Sequence, residues 1–224
     1  MYLIILVFVF AFLEWFAEVR QNQRLIYVSK PAVMLLLIVW VWYLTGLPEA
    51  GVRWFVLGLV LCLAGDIFLM LPERFFMPGL VSFLLGHIAY LLAFGRLVPE
   101  QQEASAWILL IVAGLTWVGV LVYVRLRRGM RASGNERMRL PIAGYTTVIS
   151  LMAYSALLRL FDPAWGLTPA LWVSAGALFF LVSDILNAWS RFVGGIRNYR
   201  FKVMTTYHLA QIALAVGWVL HTGF

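Results

Sequence analysis

The 224 residues are 63% hydrophobic and only 12% charged, with a mean hydropathy of +0.91, whereas a soluble domain of this length is nearer half apolar and a quarter charged. The net charge of +7 does not point to a nucleic-acid partner, because the basic residues sit between long apolar runs, where they act as topology signals at a membrane surface. The single cysteine, Cys62, excludes an intramolecular disulfide, and the apolar blocks leave no space for a sizeable soluble domain.

In chain order, the apolar runs predict spanning helices at approximately 2–17, 31–46, 53–71, 79–95, 106–124, 140–160, 168–188 and 203–220. The first run lacks a basic leader and carries Glu14 and Trp15 where a cleavage site needs small residues. It therefore reads as a span and not as a cleaved signal. Breaks fall at Lys30-Pro31, Gly46 to Gly51, Leu71-Pro72, Gly134-Asn135, Asp162-Pro163 and Gly194-Gly195. The expected fold is all-α: a polytopic membrane bundle of about eight transmembrane helices, forming one transmembrane domain over residues 1–224. That is an integral multi-pass protein, of the inner membrane if the source is bacterial.

Loop charge sets the expected orientation. Arg20, Arg24, Lys30, Arg74, Arg125, Arg127, Arg128, Arg131, Arg137, Arg139, Arg191, Arg197, Arg200 and Lys202 fall on one side. Only Arg53, Arg96 and Arg159 fall on the other. The positive-inside rule then places the rich loops in the cytoplasm and both termini outside. Trp40, Trp42, Trp54, Trp107, Trp165, Trp172 and Trp218 all sit near the outer boundary, as an aromatic belt would.

With that orientation, depth follows from position. Glu14, Asp66 and Asp184 lie one or two turns from the cytoplasmic ends of descending helices. Lys30, Tyr145, Tyr207 and His208 occupy the same layer on ascending helices, with His87 and Tyr90 slightly deeper and Gln211 reaching toward the middle. Gly58-x7-Asp66 and Gly176-x7-Asp184 are each followed by an Arg-Phe loop and a helix carrying His87 or His208. This pattern permits a parallel four-plus-four internal repeat.

Asp66 and Asp184 carry the strongest functional signal. Ionisable groups inside a membrane are costly and normally face the bundle interior. The plainer role for each is to hold neighbouring helices together through hydrogen bonds; two at matching depth favour chemistry. Gly58, Cys62 and Asp66 share one helix face, suited to close packing. Glu14 and Lys30 are placed to pair with each other, although Lys30 also has the length to snorkel. The histidines invite a zinc reading. Against it, His221 lies at the opposite face, and no HxxxH or HExxH pairing exists, so no metal or other cofactor is expected.

At these residues the chain resembles the YhhN family of membrane proteins, whose animal members are lysoplasmalogenases. The resemblance is carried by Lys30-Pro31, GDIFLML around Asp66, FLLGHIAYLLAF around His87 and Tyr90, GALFFLVSDILNA around Asp184, and TYHLAQ around Tyr207. Residues 100–140 contribute nothing to it. It implies hydrolysis of the vinyl-ether bond of a lysoplasmalogen, giving a fatty aldehyde and a glycerophospho-base. That reaction begins with proton transfer to carbon and proceeds through an oxocarbenium ion captured by water. The general acid must still hold its proton near neutral pH, as a carboxyl withdrawn from water does. A second carboxylate then stabilises the cation or activates water, as in paired-carboxylate glycosidases. Asp66 and Asp184 are the expected catalytic pair, in either order. His87, Tyr90, Tyr145, Tyr207, His208, Gln211, Asn187, Glu14 and Lys30 are expected to position substrate or water. The expected partners are a single-chain lysophospholipid and the surrounding membrane lipids. The competing class is a proton-coupled transporter or lipid-binding protein, with the aspartates as coupling sites.

Overall fold

The computed structural model describes residues 2–47, 49–95, 97 and 105–223, and Arg96 lies outside them. It holds eight long helices: α1 (Tyr2–Arg20), α2 (Gln23–Thr45), α3 (Ala50–Met70), α4 (Phe76–Phe94), α5 (Ser105–Ala132), α6 (Arg139–Leu158), α7 (Leu167–Phe192) and α8 (Tyr199–His221). All eight have spans long and apolar enough to cross a bilayer, and the chain is an integral, multi-pass membrane protein.

The expected spans all correspond to helices, but three boundaries differ in an instructive way. The Lys30-Pro31 pair does not open α2. The helix starts at Gln23, where the Asn22 side chain accepts a hydrogen bond from the Leu25 N–H at 3.3 Å, and Pro31 lies inside it. Proline removes one backbone donor, so its cost in a bilayer is one carbonyl to be satisfied elsewhere. The α5 helix runs on to Ala132, and at 28 residues it is about 42 Å long. The run exceeds a hydrocarbon core of about 30 Å, and its Arg125–Arg131 end is polar enough to leave the apolar layer. The α7 helix likewise continues to Phe192 before Gly194 and Gly195, both at positive φ, reverse the chain toward α8.

Two helix pairs are packed most extensively, α3 with α4 and α7 with α8. Their glycines explain how the axes approach so closely. A Cβ on Gly176 would stand 2.8 Å from Leu214 N and 2.9 Å from Ala210 O, and one on Gly217 would stand 2.8 Å from Val173 N and 2.9 Å from Pro169 O. In the other pair, Gly58 lies beneath the Tyr90 ring and Gly86 against the Cys62 sulfur. Small residues at such crossings replace the hydrophobic drive that lipid cannot supply. The α8 helix is central, with 67% of an 18-residue apolar stretch buried, and α5 is peripheral, with 6%. At the end remote from the Arg-rich connections, Phe55 stacks on Trp218 at 4.8 Å and Trp165 on His221 at 3.8 Å.

Candidate functional site

A cavity of about 790 Å³ opens at the end of the bundle that carries the Arg-rich connections. The ends of α1, α2, α3, α4, α7 and α8 form its mouth, and the inner halves of α5 and α6 form one wall. Six of the sequence-expected residues line it: Lys30, Asp66, Tyr145, Asp184, Asn187 and Tyr207. The rest of the lining is largely apolar, with Leu80, Phe83, Leu115, Val118, Val122 and Ile149 among its members. This composition suits an occupant with a polar end and a hydrocarbon chain.

Asp66 sits on the glycine face of α3 with 1% of its side chain exposed. Lys30 of α2 approaches its Oδ1 at 3.3 Å, and the Tyr207 hydroxyl of α8 donates to its Oδ2 at 2.7 Å. Phe83 packs its ring edge-to-face with Tyr207, at 5.9 Å between centroids. Lys30 therefore does not snorkel, and its ion pair is with Asp66 rather than with Glu14. The reason is geometric: unbroken helix through Pro31 holds Lys30 inside the bundle, opposite the inner end of α3.

Asp184 of α7 is held by different chemistry. The Tyr145 hydroxyl of α6 donates to its Oδ2 at 2.6 Å, and His87 Nε2 of α4 lies 3.0 Å from the same oxygen and 3.0 Å from the Tyr145 hydroxyl. With its hydrogen on Nε2, the His87 ring serves as donor to Asp184 Oδ2. The His87 ring is fully buried, edge-to-face with Phe180 at 4.6 Å, and its Nδ1 has no hydrogen-bond partner among the described residues. Both bonds to Asp184 converge on Oδ2, and 18% of the side chain is exposed toward the cavity.

The remaining expected residues lie behind this lining. The Tyr90 hydroxyl donates to Gln211 Oε1 at 2.7 Å, joining α4 to α8 in the bundle centre. Glu14 and His208 are fully buried where α1 meets α8, and none of their side-chain polar atoms has a hydrogen-bond partner among the described residues. Trp15 lies over the His208 ring, at 6.3 Å between centroids. Two features of the site had no expectation attached. Glu73 at the mouth binds Arg191 at 2.8 Å while that guanidinium lies 3.6 Å above the Phe76 ring. The α5 wall also falls within the stretch that carried no motif; its only sequence signal was hydropathy. Among the described residues no three His, Cys, Asp or Glu side chains converge as a metal site would require.

The two carboxyl groups thus take their partners crosswise. A residue of the last helix holds the aspartate of α3, and a residue of α4 holds the aspartate of α7. Comparison with known proteins bears on what this arrangement serves. The YhhN family model matches residues 25–218. Lysoplasmalogenase TMEM86B of Mus musculus is 31% identical over 213 residues, covering 95% of this chain and 83% of the relative. The Homo sapiens TMEM86B protein is 28% identical, covering 91% and 76%. Lysoplasmalogenase TMEM86A of Homo sapiens is 31% identical, covering 72% and 63%. No solved structure matches the chain.

Proposed function

The chain belongs to the YhhN family, and on that premise we propose that it is a membrane hydrolase that cleaves the vinyl-ether bond of a single-chain ether lysophospholipid. The products are a fatty aldehyde and a glycerophospho-base. The observation that carries this reading is the opening of two carboxyl groups, with separate hydrogen-bond partners, onto one largely apolar cavity. The relatives named lysoplasmalogenases supply the reaction class.

The residues divide the work as follows. Asp184 delivers a proton from Oδ1 to the vinyl carbon remote from the ether oxygen, leaving an oxocarbenium ion. The Tyr145 hydroxyl and His87 Nε2–H then stabilise the carboxylate just formed, since both bonds reach Oδ2 and the transfer oxygen has no partner among the described residues. Asp66, paired with Lys30, is the standing carboxylate. It lowers the energy of the cation and takes a proton from the water that attacks it, giving a hemiacetal. In the collapse, the hemiacetal hydroxyl returns its proton to Asp184 and Asp66 protonates the departing glycerol oxygen. Both groups are then back in their starting states. The lipid tail runs along the α5 wall, the head group stays at the mouth near Arg191 and Arg200, and that mouth faces the cytoplasm.

Purified protein incubated with a lysoplasmalogen and with its saturated-ether counterpart tests this directly. Mass spectrometry is expected to find fatty aldehyde from the vinyl ether alone, with or without a chelator. Absence of aldehyde from every vinyl-ether lysolipid in a head-group panel would sink the proposal.

A further inference from the structure

Behind the Asp66–Lys30 pair lies a second buried acid that the reaction above does not employ. Glu14 has no exposed surface and neither of its carboxyl oxygens finds a hydrogen-bond partner among the described residues. Its charged neighbours come from three helices: Lys30 of α2, Asp66 of α3 and Glu18 of its own α1, all within electrostatic reach. From α8 the titratable group beside neighbouring Trp15 is His208, also wholly buried, with both ring nitrogens unpartnered among the described residues and Lys30 within electrostatic reach. Trp15 Nε1 adds a buried donor with no partner among the described residues.

Charge counting restricts what this cluster can be. Glu18 has Arg200 as well as Lys30 within electrostatic reach, which leaves one ammonium for the two buried carboxyls, and its only ion-pair contact among the described residues is with Asp66 at 3.3 Å. An ionised carboxylate buried without a partner is so unfavourable that the group neutralises instead. A lysine ammonium has three donors and Asp66 engages one, so Lys30 retains the capacity to serve Glu14 if Asp66 no longer claims it. Ordered water commonly bridges buried polar atoms of this kind, and Glu14, His208 and Trp15 together supply both donors and acceptors for it.

We propose that Glu14 and Asp66 share the single cation Lys30, with Glu14 protonated whenever Asp66 is ionised, so that Glu14 is a positioning residue that keeps Lys30 on Asp66. This rests on the proposed hydrolysis only for its purpose; the shared cation is a property of the resting protein.

Infrared spectroscopy of the detergent-solubilised protein at neutral pH reads the sharing without any substrate. Labelling glutamate carboxyls with ¹³C shifts the carbonyl band of a protonated glutamic acid and leaves aspartic acid bands in place. One such glutamate band is expected in the unaltered protein and is lost in Glu14→Gln. The same band is also expected to be lost in Asp66→Asn, because Lys30 then turns to Glu14 and ionises it. A Glu14 that merely fills space would keep its band in Asp66→Asn, and that result overturns the proposal. So does the absence of a protonated glutamate band from the unaltered protein. If Glu14→Gln does not fold, the Asp66→Asn spectrum decides alone. Coupled band loss in a protein that releases no aldehyde would support the shared cation and refute the hydrolysis. Aldehyde release without coupled band loss would do the reverse.

Discussion

Asp66 and Asp184 have the same side chain on helices of similar composition, yet they occupy opposite kinds of setting. Asp66 belongs to the cavity lining with only 1% of its side chain exposed, and is held by a cation and a hydroxyl on its two oxygens. Asp184 is partly open, with 18% exposure, and held by a hydroxyl and an imidazole on one oxygen. The first arrangement fixes a negative charge in place. The second leaves one oxygen without a partner among the described residues, the oxygen that carries the proton in the proposed reaction. Two identical residues acquire different chemistry through their neighbours, which is how paired carboxylates divide acid and base roles elsewhere.

The sharpest break in that contrast is to remove each carboxylate in turn. Asp184→Asn and Asp66→Asn are each expected to reduce aldehyde release by about 100-fold or more, within the range for a positioned acid or base. Mass spectrometric product assays measure this, and wild-type rates in both variants would dismantle the pairing. Next in size is Lys30→Met, which leaves Asp66 as a buried charge without its cation. Breaking such a pair costs about 3–5 kcal/mol, so the unfolding midpoint in denaturant should fall well below that of the unaltered protein. Lys30→Met combined with Asp66→Asn should recover part of that loss, because no charge is then stranded. An equal or larger loss in the double variant would mean that Lys30 stabilises the bundle by packing alone.

The tyrosines sharpen the contrast further. Tyr207→Phe removes a hydrogen bond to the standing carboxylate, worth about 1.5–3 kcal/mol, and Tyr145→Phe removes one to the carboxylate that Asp184 becomes as it gives up its proton. Tyr145→Phe is expected to lower kcat by roughly tenfold or more, at the proton-transfer step that the hydroxyl supports. Tyr207→Phe should act mainly on stability, since Lys30 still holds Asp66. Equal kinetic effects from the two would show that the aspartates are not specialised. The smallest effect belongs to Leu109→Ala on α5. Its side chain is exposed to lipid, at 69%, and surface changes of this kind are usually worth within about 0.5 kcal/mol.

The eight helices were readable from sequence because hydrocarbon imposes one length and one polarity on every span. The gathering of Lys30, Asp66, Tyr145, Asp184 and Tyr207 at one end was readable for the same reason, since depth follows from position along a helix. Pairing was not. Lys30 reaches Asp66 rather than Glu14 because of how α2 is rotated toward α3, and rotation is fixed by packing between helices that no single segment encodes. Pro31 misled for a related cause. A proline usually ends a helix, but a bilayer offers no better alternative, so the helix continues through it. The α5 wall carries no motif because its contribution is shape and hydrophobicity.

The weakly packed α5 has one further consequence. It walls the cavity with Leu115, Val118 and Val122 while very little of its own span is covered by protein. Acyl chains of the surrounding lipid therefore supply the outward support for that wall. Bilayer thickness becomes a variable of the candidate site, and under the proposed hydrolysis the same polypeptide is expected to release aldehyde at different rates in discs of short-chain and long-chain lipid. The protein's effective boundary thus extends into the first ring of lipid around it.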